Sequence, residues 1–282
     1  YLVMLLYDYI NQGHKNSQLF GFLNGTKSIF IGDYVEISET QIGYFRNRGG
    51  FDMICSGRDK IEEPEQFERS LKYCESLKLD GLVVIGGDDS NTNAALLAEY
   101  FLAKGSQIKV VGCPKTIDGD LKNEYVEVSF GFDTACKTYA ECIGSIMADT
   151  LSSKKYYHFI RLMGRSASHI ALECALLTRP TYAFIGEEVE AKQQTLQQLV
   201  AQLVDIIIQR AAKGKNYGVV LIPEGLVEFI PQMNKLISEI NKLVAGVTSS
   251  DSEQLRAIIL DKLSESSRHL FDFLPNDIAN QL

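Results

Sequence analysis

The middle of this sequence alternates short, β-rich apolar runs with longer runs whose apolar residues recur at helical spacing. The first pair is Leu82 to Ile85, bounded by glycines, and Thr92 to Lys104, whose apolar residues lie three and four positions apart. The alternation continues to Pro223, with predicted strands at 109–111, 157–162, 182–185 and 217–222 and predicted helices at 132–152, 166–177 and 195–213. Because crossovers join parallel strands, this order predicts an α/β fold, doubly wound and mostly parallel, with helices on both faces of the sheet.

The predicted strands stop after Phe229, and helical patterns take their place. Pro231 to Leu243 and Ser252 to Leu263 show helical spacing and are separated by the polar stretch Gly246 to Asp251, which we predict to be a linker. A chain of 282 residues can form one large or two ordinary domains. We divide it into residues 1–153, 154–230 and a helical extension at 231–282.

Composition excludes several classes of protein. The net charge of −8 argues against a surface that binds nucleic acid, and no apolar run reaches the roughly 18–20 residues that a membrane-spanning helix requires. The six cysteines form no CxxC pair, which favours reduced thiols over a disulfide framework or a zinc site. We therefore expect a cytoplasmic protein that binds neither nucleic acid nor membranes.

A glycine-rich acidic segment follows the first buried strand. Gly86 and Gly87 let the chain turn sharply and leave backbone amides accessible to a phosphate at the start of a helix. Asp88 and Asp89 would repel a bare phosphate, but Mg²⁺ can join carboxylates to phosphate oxygens. Asn91 or the serine before it can cap the helix that follows. The alternative is an ordinary polar turn between strand and helix with an acidic N-cap.

A second polar segment, Pro114 to Leu121, follows the next strand. Asp118 and Asp120 flank a glycine, and Lys115 precedes them. A carboxylate at a strand end can take a proton from a substrate hydroxyl, and a lysine can neutralise phosphate oxygens; the alternative is an Asp-Gly turn with solvated charges. Because ligands bind beyond the carboxyl ends of parallel strands, both segments together predict one crevice for metal-assisted phosphoryl transfer.

These segments resemble the phosphofructokinase family, in particular its long-chain, pyrophosphate-dependent members. The matching motifs, in the family's order, are Gly49-Gly50-Phe51 through Ser56-Gly57-Arg58, Gly86 to Ser90, Pro114 to Asp120, Gly131 to Ala135, Met163 to Ser168, Ile222 to Gly225 and Leu263 to Arg268. The resemblance implies Rossmann-like sheets of the phosphofructokinase type. It also implies reversible phosphoryl transfer to the 1-hydroxyl of fructose 6-phosphate, a step of glycolysis that gives fructose 1,6-bisphosphate.

The resemblance implies a role for each matching residue. Asp118 would be the base for the sugar hydroxyl, Asp88 would hold Mg²⁺, and Asp120 would help organise the metal or the base. Catalytic roles are implied for Asp118, Asp89, Lys115 and Arg165. Diphosphate contacts are implied for Gly86, Gly87, Arg58 and Lys115, and substrate contacts for Thr116, Ile117, Asp118, Lys155, Tyr156, Met163, Gly164, Arg165 and Glu224.

Ordinary structural roles compete with some of these assignments. Arg58 could pair with Glu62 one helical turn away, and Met163 could fill the core. Lys155 and Tyr156 could be solvated loop residues. If they instead reach the sugar phosphate of a neighbouring subunit, as the resemblance implies, the site requires self-association or a homologous subunit.

The resemblance also indicates the phosphoryl donor. Members of the family that use ATP carry glycines where this chain has Asp89 and Lys115. A carboxylate at Asp89 would repel the α-phosphate of a nucleotide, whereas Lys115 suits a compact diphosphate. We therefore predict a pyrophosphate-dependent enzyme with Mg²⁺ as cofactor; an ATP-dependent 6-phosphofructokinase and a non-catalytic regulatory subunit of the same assembly stay open as alternatives.

Two family motifs are absent from the sequence. Nothing before Gly49 matches the family's first glycine-rich turn, and the chain reaches Leu282 without the late sugar-phosphate motif. We interpret the chain as an internal piece of a larger, two-domain enzyme.

Overall fold

The computed structural model describes residues 1–13, 16–48, 51–244 and 259–274. The chain divides into two compact units, Tyr1–Lys115 and Thr116–Leu282. Each unit has its own parallel strands and its own hydrophobic core. The division separates Lys115 from Asp118, while the domain boundaries at 153 and 230 stay a prediction.

Two strands and the helices beside them form the centre of the first unit. Strands β3 (Gly81–Gly86) and β4 (Lys109–Pro114) pair in parallel along their whole length, with Gly81 opposite Lys109. A short antiparallel pair, β1 with β2, was not predicted, because each strand has only three residues. The elements are α1 (Leu2–Gly13), β1 (Phe20–Phe22), α2 (Lys27–Ile31), β2 (Tyr34–Glu36), α3 (Glu39–Phe45), α4 (Phe51–Ile54), α5 (Pro64–Ser76), β3 (Gly81–Gly86), α6 (Asp88–Ala103) and β4 (Lys109–Pro114).

Residues of β3 alternate between the core and an open face. Leu82 packs in the core with Leu97 of α6. On the other face, Val83 and Ile85 are each 37% exposed, and Val111 of β4 is 52% exposed. We expected 82–85 to be buried throughout, but in the part of the chain that the structure describes only one face of this sheet is covered.

The second unit contains a three-stranded parallel sheet of β5 (Tyr157–Leu162), β6 (Tyr182–Ala183) and β7 (Gly218–Pro223), with β7 in the centre. Strand β5 pairs with β7 from Tyr157 opposite Gly218 to Leu162 opposite Pro223, which confirms both predicted strands. Strand β6 ends at Ala183, two residues before the predicted end at Ile185. The elements are α7 (Phe132–Ser153), β5 (Tyr157–Leu162), α8 (His169–Thr178), β6 (Tyr182–Ala183), α9 (Gly186–Ala191), α10 (Leu196–Ala211), β7 (Gly218–Pro223), a 3-10 helix (Glu224–Phe229), α11 (Pro231–Val244) and α12 (Glu265–Phe273).

The central strand β7 is buried on both faces. Val219 and Leu221 pack in one core cluster with Ile143 of α7 and Ile170 of α8. Val220 points the other way, into a second cluster supplied by α9, α10 and α11. A strand covered on both sides explains the continuous apolar run that predicted it.

The helical extension is described in part. Helix α11 confirms the pattern predicted from Pro231, and it packs on α12 through a cluster around Leu236 and Phe271. The predicted linker Gly246 to Asp251 lies outside the described residues, as does most of the predicted helix Ser252 to Leu263. No helix in the described ranges is long and apolar enough to cross a membrane.

Candidate functional site

The glycine-rich acidic turn of the first unit leads directly into α6. Gly87 is the extended N-cap residue, and Asp88 and Asp89 occupy the first helical turn with exposed side chains. Carboxylates at this end of a helix interact favourably with its dipole. The helix therefore begins four residues before the predicted start at Thr92.

Asn91 does not cap α6, which corrects the prediction. It lies inside the helix, and its side-chain Nδ2 donates to the carbonyl oxygens of Gly86 and Gly87, at 2.9 and 2.8 Å. These two bonds fix the orientation of the Gly86 and Gly87 carbonyl groups and so stabilise the turn. The amide of Lys115 also donates to the Gly86 oxygen, at 2.7 Å. The ends of β3 and β4 are thus tied together, so that the acidic turn and the backbone of Lys115 adjoin within the first unit. The single crevice for their side chains stays a prediction.

The second unit begins with the segment that contains the predicted base. The Thr116 amide donates to the Ser129 hydroxyl at 3.0 Å, and the Asp118 amide donates to Thr116 Oγ1 at 3.2 Å. Gly119 has a φ of 74°, which glycine adopts readily, and an added Cβ would lie 3.3 Å from the Phe132 ring. The segment is therefore an ordered turn and differs from the solvated turn considered above.

Two carboxylate oxygens in this segment are buried and accept no hydrogen bond from the described residues. They are Asp118 Oδ1 and Asp120 Oδ1. The other oxygen of Asp120, Oδ2, accepts a long bond of 3.4 Å from Ser166. Buried acceptors are nearly always satisfied, so these two oxygens are suited to a hydroxyl donor or a cation.

The surroundings of Asp118 favour its protonated form. Burial raises the pKa of Asp118, and the nearby carboxylate of Asp120 raises it further. Arg165 and the hydrogen bond with Thr116 act in the opposite direction, while Glu224 adds a smaller upward effect. A carboxylate with a raised pKa is a better proton acceptor than an ordinary aspartate.

Replacing Asp120 by asparagine is expected to lower the pKa of Asp118, because it removes a negative charge that opposes ionisation. In a carbon-13 NMR titration of aspartate-labelled protein, the midpoint of the Asp118 carboxyl signal should move to lower pH. The control Glu127→Gln removes an exposed carboxylate of the same unit and should leave that midpoint in place. An unchanged midpoint in Asp120→Asn would contradict the assigned cause.

The ends of β5 and β7 bring together residues of the predicted sugar-phosphate site. The Gly225 amide donates to the Gly164 oxygen at 3.0 Å, and a Cβ on Gly225 would lie 1.8 Å from the Arg165 carbonyl oxygen. The two turns are therefore in backbone contact, which places Glu224 and Arg165 on adjoining turns. Met163 is 49% exposed, which rules out the alternative that it fills the core.

A structural contact that sequence reasoning missed supports these turns. Glu187 lies in the first turn of α9, where the helix dipole favours an acidic residue. Its Oε1 also accepts from the Ser168 amide at 2.9 Å, while Ser168 Oγ accepts from the Gly186 amide at 2.8 Å. Burial is the largest single effect and opposes ionisation of Glu187, but the hydrogen bonds from Ser168 and from its own backbone amide, together with nearby His169, lower its pKa. Glu187 thus anchors the residues that follow Arg165.

The remaining predicted residues are accessible. Arg58 is exposed and, among the described residues, forms no ion pair, so the pairing with Glu62 is not observed. Lys155 and Tyr156 lie exposed between α7 and β5. Gly49 and Gly50, which opened the first family motif, lie outside the described residues.

All six cysteines are free thiols, as predicted. Cys74, Cys136 and Cys174 are buried, whereas Cys55 and Cys142 are exposed. Burial raises the pKa of Cys74 and of Cys136 to about 12. No group of three or more His, Cys, Asp or Glu side chains suited to a metal ion occurs in the described ranges.

Comparison with known proteins gives matches over almost the whole chain. It is 55% identical, over 98% of its length, to the pyrophosphate–fructose 6-phosphate 1-phosphotransferase of Entamoeba histolytica, and 52% identical to that of Treponema pallidum. It is 54% identical to the enzyme's subunit beta 1 from Arabidopsis thaliana. The chain spans about half the length of these relatives, between 48% and 52%.

Solved structures show the same fold. A pyrophosphate-dependent phosphofructokinase from Nitrosospira multiformis matches with a TM-score of 0.63 and 20% identity, over 79% of this chain and 56% of that one. The phosphofructokinase of Pichia pastoris matches with a TM-score of 0.64 and 18% identity, over 92% of this chain and 27% of the other. The family model for phosphofructokinase matches residues 7–267. Together with the motif order and the parallel sheets, this shows that the chain belongs to the phosphofructokinase family.

Proposed function

We propose that the complete protein transfers a phosphoryl group from inorganic pyrophosphate to the 1-hydroxyl of fructose 6-phosphate. The observation that carries this proposal is the pairing of an acidic glycine turn with Lys115 in a chain 55% identical to a relative named for this reaction. The residues of the first unit suit the diphosphate donor. Those of the second unit suit the sugar phosphate.

Asp118 would accept the proton of the sugar 1-hydroxyl as its oxygen forms the new bond to phosphorus. The bridging P–O bond of pyrophosphate breaks in the same transfer and releases orthophosphate. The raised pKa of Asp118 favours proton capture, while Arg165 limits that rise and keeps the carboxylate available as a base. Phosphoryl transfer otherwise depends on positioning and on neutralising phosphate charge.

The carboxylates of the chain fit Mg²⁺, which takes one or two protein carboxylates together with phosphate oxygens. Asp88, with its exposed side chain in the first turn of α6, would hold the ion. Asp120, one of whose oxygens is buried and accepts no hydrogen bond from the described residues, would support the base Asp118 within the second unit. When bound, Mg²⁺ neutralises charge on the transferred phosphate.

Exchanging the two donor-selecting residues tests this function. The double substitution Asp89→Gly with Lys115→Gly should lower the pyrophosphate-dependent rate of the complete protein by roughly tenfold or more, because a charged contact is lost. It should also permit some use of ATP, because the repelling carboxylate is gone. The measurement is a coupled assay with each donor in turn.

A control pair keeps this test specific. Glu68→Ala with Lys72→Ala removes an exposed acid and an exposed base from α5 and should leave both donor activities as they are. If the donor-site double variant kept full pyrophosphate activity and rejected ATP, the donor assignment would be wrong. If the unmodified complete protein used only ATP, the alternative of an ATP-dependent enzyme would replace the proposal.

The proposal includes an assembly and a location. Relatives named as beta and alpha subunits, at 54% and 44% identity, support association with a second copy or a homologous subunit. The exposed Lys155 and Tyr156 are suited to reach a neighbouring subunit's ligand. The set Asp88, Asp118, Lys115 and Arg165 favours a catalytic over a purely regulatory chain. A cytoplasmic location stays a prediction.

A further inference from the structure

The loop between α4 and α5, residues 55–63, brings Lys60 into an ion pair with Asp89, the carboxylate implicated in donor selection. Lys60 Nζ lies 3.0 Å from Asp89 Oδ1, with the two side chains 47% and 67% exposed. An ion pair this exposed contributes little to folding stability. The ion pair does change the net charge at the start of α6, because the ammonium group of Lys60 offsets the negative charge of Asp89.

Two buried hydrogen bonds fasten Ile61, the loop residue that follows Lys60, to helix α6. The Ile61 amide donates to Asn93 Oδ1, and Asn93 Nδ2 donates to the Ile61 oxygen, both at 3.0 Å. Ile61 is fully buried and Asn93 is 5% exposed. Because Asn93 lies one helical turn after Asp89, this clamp fixes the backbone beside the carboxylate that Lys60 contacts.

The residues of the loop that precede Lys60 are also in close contact with the rest of the first unit. A Cβ on Gly57 would lie 2.1 Å from the Asn24 carbonyl oxygen, so the two backbones are in direct contact. The Thr26 hydroxyl donates to the carbonyl oxygen of Asp59. A loop with exposed cationic side chains and a fixed backbone is preorganised for a ligand, because little ordering is left to occur on binding.

Lys60, like any exposed lysine, is cationic at neutral pH, and the charges around it favour that form. The hydrogen bond from Lys60 to Asp89 raises the pKa of the lysine, and the negative charges of Asp89, Glu62 and Asp88 add to this effect. Lys115, whose amide is bonded to Gly86 at the same turn, supplies a second ammonium group. The turn therefore combines carboxylates for a metal with cations for phosphate oxygens.

We propose that Lys60 is an additional cation of the phosphoryl-donor site, and that Asp89 acts as a positioning residue that holds it there. This rests on the proposed function. It assigns Asp89 a task beyond repelling a nucleotide: its charge orients an ammonium group toward the phosphate oxygens of a compact diphosphate. Lys60 would bind the donor in the ground state and the transition state alike.

Steady-state kinetics of the complete protein with Mg-pyrophosphate test this. Lys60→Met should raise KM for pyrophosphate roughly tenfold with kcat little changed, and Lys60→Arg should restore much of the loss. KM for fructose 6-phosphate should stay constant. The control Lys72→Met removes an exposed lysine of α5 and should change neither constant.

A double-mutant cycle tests whether Asp89 acts by positioning Lys60 or affects pyrophosphate binding independently. If Asp89 acts through Lys60, then Asp89→Asn should raise KM for pyrophosphate in the presence of Lys60 and add nothing in the Lys60→Met background. Fully additive effects, or an unchanged KM in Lys60→Met, would overturn the inference while leaving the proposed function intact. An unmodified protein without pyrophosphate activity would instead refute the proposed function.

Discussion

Replacing Asp118 by asparagine should lower the phosphotransferase rate of the complete protein by about 10²–10⁴-fold, the usual effect of removing a general base. The same substitution should raise the melting temperature at neutral pH. The folded state holds the Asp118 carboxyl with a raised pKa, so ionising it costs free energy. Differential scanning fluorimetry and a coupled rate assay measure the two effects.

The sign of the stability effect can be checked against pH. Well below about pH 4 the carboxyl is protonated in both the folded and the unfolded chain, and the variant should have no advantage from this source. As the pH rises above that value, the unfolded chain ionises first, and the advantage of Asp118→Asn should grow until the folded carboxyl has also ionised. A variant that was destabilised at neutral pH would contradict the unfavourable environment described for Asp118.

Replacing Gly225 by alanine should damage both stability and sugar-phosphate binding. Its Cβ would lie 1.8 Å from the Arg165 oxygen and 2.5 Å from the Arg165 carbonyl carbon, so backbone must move. Forcing atoms into a closely packed site costs about 1–3 kcal/mol of unfolding free energy. Since the displaced turn contains Arg165, KM for fructose 6-phosphate should rise in any protein that folds.

Gly144 provides the matched control. It lies within α7, and nothing is found within 4 Å of a Cβ added there. Alanine is favoured over glycine in a helix interior, so Gly144→Ala should stabilise the protein by about 0.5–1 kcal/mol. Denaturant unfolding of both variants measures the contrast. Equal effects of the two substitutions would show that the turns at Arg165 and Gly225 are not in contact.

The sequence predicted the positions of the five parallel strands because their signal is local, but it missed the three-residue strands β1 and β2. Tyr157 to Leu162 has the predicted bounds, and β7 differs by one residue at each end. The start of α6 was wrong because Asn91, a frequent cap residue, binds carbonyl oxygens of the preceding turn instead. A side chain that can both donate and accept leaves this choice open until the fold is known.

The site was predicted at the level of motifs but not of contacts. Lys60 and Asp89 are distant in sequence, and their pairing depends on the clamp that Asn93 makes with the backbone of Ile61. Nothing in the local pattern distinguishes Asn93 from a solvated helical residue. Glu187 likewise gains its role only when α8 and α9 are folded. The periodicity of apolar residues along the sequence does not predict long-range hydrogen bonds of this kind.

The contrast among the thiols has a practical consequence for following ligands in solution. Burial raises the pKa of both Cys74 and Cys136 to about 12, so a maleimide dye will react slowly with them. Cys55 is exposed and lies three positions before Arg58. After Cys142→Ser, fluorescent labelling at Cys55 would place an optical reporter beside the loop through which the diphosphate is expected to be recognised.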